Sequence, residues 1–158
     1  MIVVWFFDLG PVIFGLLILI MGLVGKLMEA LPVIEAIYWI LFAILCIGAL
    51  WMVVTDGFPS LAHRLGFGAV LAGCLLFMGI LSSQFFASIV SAYGDGGLNG
   101  FFELLFTVIG GVFVWLFGFL AATYVSILLP MTKEGEVTGG RLTLAGLCTI
   151  GLLCFALI

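Results

Sequence analysis

Apolar residues run along this chain in five long stretches, broken only by short polar separators. The stretches cover residues 9–27, 33–55, 65–92, 102–129 and 142–158. A helix crossing a hydrocarbon core about 30 Å thick needs about 20 mostly apolar residues. The first four stretches meet that length. The fifth, 17 residues, makes about 25 Å of helix at 1.5 Å per residue. Backbone groups cannot stay unpaired in lipid, so each stretch is a helix or a barrel strand. Barrel strands alternate apolar and polar over about ten residues, whereas these stretches are apolar on all sides. The pattern therefore predicts an all-α, polytopic transmembrane helix bundle, one integral membrane domain over 1–158 with short loops and no soluble domain. Five spans are expected, with four as the alternative.

The separators carry the turn signals. Lys26, Glu29, Pro32 and Glu35 divide the first two stretches. Asp56, Gly57, Pro59 and Ser60, followed by His63 and Arg64, divide the second from the third. Four glycines between Tyr93 and Gly100 read as a flexible turn. The longest polar segment, 130–141, opens on Pro130, a helix stop. Upstream, Pro11 suits a first helical turn, with Asp8 as its cap and Trp5 at headgroup depth.

Composition sharpens this picture. Sixty-six per cent of the 158 residues are hydrophobic and the mean hydropathy is +1.51. Four Lys+Arg and eight Asp+Glu are too few to solvate a globule of this size, which excludes a water-soluble or disordered chain. No basic patch exists, so nucleic acid is not an expected partner. Arg64, Lys133 and Arg141 outweigh Lys26. The positive-inside rule then puts the 56–64 and 130–141 loops in the cytoplasm and the amino terminus outside, with a bacterial inner (plasma) membrane as the expected location.

Candidate chemistry is sparse. Cys46, Cys74, Cys148 and Cys154 form no C-x-x-C pair and read as small buried hydrophobes. His63 is the only histidine and reads as a loop residue. No nucleophile elbow or phosphate-binding loop occurs, so no enzyme activity and no cofactor are expected. Polar groups inside the spans remain. Ser83 and Gln84 sit in the third span, and Ser88 and Ser91 continue that face at i+4 and i+7 of Gln84. Glu103 and Thr107, four residues apart, share a face of the fourth. These five positions, Ser83, Gln84, Ser88, Glu103 and Thr107, are either interhelical hydrogen-bonding groups or the lining of a pathway. Small residues at helix-packing spacing are Gly68 with Ala72, Ala69 with Gly73, and Gly118 with Ala122.

These features predict a small, non-catalytic integral membrane subunit that scaffolds or anchors a larger assembly. Its expected partners are the lipid bilayer and other membrane proteins or copies of itself. The alternative is a homo-oligomeric channel, or a small carrier, with a polar stripe around Gln84 and Glu103.

Overall fold

The computed structural model describes the backbone of residues 2–94 and 97–158, and the side chains of 12–94 and 99–158. Four helices follow one another among them: α1 (Ile2–Thr55), α2 (Leu61–Gly94), α3 (Gly97–Thr123) and α4 (Gly139–Leu157). A π-helical turn, Tyr124–Leu128, continues α3. Beyond one isolated bridge, Met131 to Val137, no strand occurs among the described residues. All four helices are long and apolar enough to cross a membrane.

Four helices rather than five are thus long and apolar enough to cross a membrane among the described residues, and the difference does not arise at the short fifth stretch. That stretch is helical over Gly139–Leu157 and meets the length for crossing. Instead, 9–27 and 33–55 belong to one helix. The reason lies in the separator itself. Lys26, Leu27, Met28, Glu29, Ala30 and Leu31 are all good helix formers, and Pro32 is the only breaker. A turn here would strip several backbone groups of partners in apolar surroundings, whereas continuing through Pro32 forfeits one hydrogen bond. The helix also starts ahead of Pro11. The roles expected of Trp5, Asp8 and Pro11 concern side chains outside the described residues.

The chain forms two compact units, Met1–Phe42 and Ala43–Ile158. The first is the amino-terminal part of α1. Within it, Trp39 Nε1 donates to Glu35 Oε1 at 3.3 Å, and Phe42 stacks on Tyr38, four residues earlier, with ring centroids 6.0 Å apart.

The second unit is built around α2. Phe67, Val70, Leu71, Cys74, Phe77, Met78, Leu81 and Ser82 recur at three- and four-residue spacing and are buried, one continuous face of a 3.6-residue helix. α3 and α4 both pack against α2. Glycine permits these approaches. A Cβ at Gly118 of α3 would lie 2.5 Å from Leu81 Cδ2, and one at Gly111 would meet the Phe85 ring. A Cβ at Gly73 would lie 2.5 Å from Thr149 Cγ2 of α4, and one at Gly66 would lie 2.7 Å from Leu142. Within lipid such close packing, rather than the hydrophobic effect, holds helices together.

Both polar loops gather at one end of this unit. Ser60 Oγ accepts from the His63 backbone N–H at 3.2 Å and lies 2.7 Å from His63 Nδ1. His63 therefore belongs to the capped first turn of α2 rather than to a loop. Residues 131–137 fold back on themselves: Thr132 N–H donates to Glu136 O at 2.8 Å, and Gly135 takes φ +84°, a left-handed conformation open to glycine. This turn delivers Val137 into a cluster with Phe67 and Leu71, against which Phe58, Met131 and Leu142 pack.

Candidate functional site

α2 and α3 run antiparallel, since Phe85 meets Gly111 while Phe77 and Leu81 meet Gly118. Continuing this register toward the turn between them sets Ser88 and Ser91 opposite Thr107 and Glu103. These four, with Ala87 and Ala92, line an open cleft of about 480 Å³. Three of the five polar positions named from the sequence, Ser88, Glu103 and Thr107, thus share one cavity. Ser88 Oγ donates to Gln84 O at 2.8 Å. This satisfies its proton and leaves oxygen lone pairs free toward the cleft. Glu103 is exposed there. The arrangement offers one carboxylate and several hydroxyls, an acceptor-rich lining that suits a proton or a cation.

Gln84 and Ser83 do not join that cavity. Gln84 Nε2 instead donates to Ala156 O at 2.8 Å. Ala156 lies in the last turn of α4, whose carbonyls have no partner within their own helix. The amide ties α2 to the end of α4, which is an interhelical hydrogen bond. Ser83 is exposed on the outer side of α2. Gln84→Leu removes this tie, and unfolding in detergent should show a loss of about 1 kcal/mol. An unchanged midpoint would mean that the amide contributes nothing to the α2–α4 contact.

Ser126 and Ser82 are the buried serines among the described residues, and sequence reasoning passed over Ser82 in favour of its neighbours. It is fully buried, donates to Met78 O at 2.7 Å and accepts from Trp115 Nε1 at 2.9 Å. A signal for it existed: an indole N–H in the middle of an apolar span needs an acceptor. A second polar contact was also missed. Cys74 Sγ lies 3.6 Å from Thr149 Oγ1, and Thr149 in turn donates to Ala145 O at 2.8 Å. Of the four cysteines only Cys74 is buried; Cys46 and Cys148 are half-buried and Cys154 is exposed, so the expectation of four buried thiols is corrected.

Among the small residues, Gly73, Gly118 and the buried Ala122 lie at helix contacts. Gly68 approaches Val53, with 3.2 Å to its Cγ1 from a built Cβ. Ala69 and Ala72 are exposed and line a groove between α1 and α2. Gly66 and Gly111, outside the sequence pattern, make contacts as close as any of these. No group of three or more His, Cys, Asp or Glu able to hold a metal ion occurs among the described residues. Compared with protein-family models, with curated proteins and with solved structures, the chain matches none.

Proposed function

We propose that this chain is a small, non-catalytic integral membrane subunit that scaffolds or anchors a larger membrane assembly. One observation carries this reading. The helix Val12–Thr55 carries an 18-residue apolar window, none of which is buried within the chain. Its exposed side chains include Phe14, Leu19, Leu23, Ile37, Ile47 and Leu50, an apolar surface that a partner membrane protein can cover.

A single crossing before Thr55 also bears on orientation. An amino terminus outside and a 56–64 loop in the cytoplasm require an odd number of crossings between them. With the 56–64 and 130–141 loops in the cytoplasm by the positive-inside rule, four crossings set the amino terminus outside, whereas five would set it inside.

The test is purification from the native membrane in mild detergent, with mass spectrometry of every protein retained. Stoichiometric co-purification of other subunits is expected. A homo-oligomer free of other proteins would overturn the proposal and favour the second reading.

That second reading, a homo-oligomeric channel, draws on the shared cleft of Ser88, Ser91, Glu103 and Thr107. It makes its own prediction. In liposomes, a cation flux through this cleft should fall on Glu103→Gln. If flux is the same in both proteins, Glu103 takes no part in conduction.

A further inference from the structure

We infer that the groove between the end of α1 and the start of α2 binds an anionic phospholipid, one acyl chain along the groove and its phosphate on Arg64. The groove holds about 610 Å³, within the range of about 300–1,000 Å³ typical of small-molecule sites. Cys46, Ala49 and Val53 form one wall; Gly68, Ala72 and Leu75 form the other. The lining is apolar, and its small residues leave the space open.

Depth and charge select the occupant. From Leu65 to Leu75 the groove follows α2 over about 15 Å at 1.5 Å rise per residue. That is half of a hydrocarbon core about 30 Å thick, the depth of one leaflet. At its loop end stands Arg64, in the first turn of α2, at the level of the headgroups. Its guanidinium is held but not neutralised. Nη2 donates to the Asp56 carbonyl oxygen at 3.3 Å, and the group lies 5.9 Å from the centre of the Phe58 ring. Among the described residues no carboxylate lies within ion-pairing distance of it. The remaining N–H donors of the fork match a phosphate. A zwitterionic lipid would fill the same groove, but its cationic group would oppose Arg64. By the positive-inside reading of the loop basic residues, on which the inference rests, this end lies at the cytoplasmic leaflet, where anionic lipids concentrate.

The experiment uses the full chain in detergent, titrated with phosphatidylglycerol or phosphatidylcholine bearing identical oleoyl chains, with bound lipid counted by native mass spectrometry. Phosphatidylglycerol should bind about tenfold more tightly, as expected for a charged hydrogen-bonded contact. Arg64→Gln should erase that preference, and Arg64→Lys should keep part of it. Ala72→Phe, which fills the groove, should lower binding of both lipids. Glycerol phosphate without acyl chains should not compete. Circular dichroism of each lipid-free variant separates loss of the site from loss of the fold. Equal binding of the two lipids, an unchanged preference in Arg64→Gln, or unaltered binding in a folded Ala72→Phe would each overturn the inference. So would a change of oligomeric mass in Ala72→Phe without loss of lipid, which would assign the groove to a second copy of the chain.

Discussion

Replacing Phe67 with alanine should cost about 3–5 kcal/mol of unfolding free energy, the range for removing a buried aromatic ring. Phe67 has no exposed surface. Its ring centroid lies 5.3 Å from that of Phe58 in the α1–α2 loop. Val137 from the α3–α4 turn belongs to the same cluster, and Met52, Val53, Met131 and Leu142 pack around it. One ring therefore joins the end of α1, the start of α2, both polar loops and the start of α4. The cluster sits at the loop end of the bundle, and removing the ring leaves a cavity that these neighbours can fill only in part. Denaturation followed by circular dichroism gives the stability. Limited proteolysis of residues 131–138 provides a second readout, and cleavage there should rise in step. A stable variant with an uncut loop would show that the cluster does not hold this end together.

Gly118→Leu should separate α2 from α3, and Gly110→Leu supplies its control. Both substitutions gain helix propensity, about 0.8–1 kcal/mol for losing a glycine. They differ in what the new side chain meets. Nothing lies within 4 Å of a Cβ at Gly110, whereas one at Gly118 would meet Leu81 at 2.5 Å and the Phe77 ring at 3.5 Å. The first contact alone could be relieved by a turn of Leu81, but Phe77 and Leu81 are both buried and have little room to move. Overpacking costs about 1–3 kcal/mol, and a full leucine adds three more carbons beyond the Cβ. The propensity gain is outweighed at Gly118 and stands alone at Gly110. Opposite signs are expected in detergent unfolding: Gly110→Leu at or above the unaltered protein, Gly118→Leu below it. Equal effects would mean that α3 does not pack on α2 through this face.

Particular residues show how far the linear pattern reaches. Pro130 and Gly139 bracket the turn that the polar run at 130–141 predicts. Asp56 to Ser60 likewise separate α1 from α2 as their turn chemistry suggests. Lys26, Glu29 and Glu35 mislead, because long charged side chains can interrupt an apolar run without interrupting a helix. Gln84 and Glu103 both stand out as polar groups in apolar spans, yet one reaches a carbonyl of α4 and the other faces a cleft.

The helical nature of these stretches and their suitability for lipid thus follow from residue order alone, because backbone pairing and an apolar solvent leave one solution for stretches this long; that the first two form one helix does not. Which side of each helix meets protein follows only from the assembled fold. Lipid-facing and buried positions are equally apolar here, so hydropathy holds no record of face. Ser82 and Ser83 differ by one position and by nothing in polarity; the register of α2 against α3 buries the first beneath Trp115 and turns the second outward.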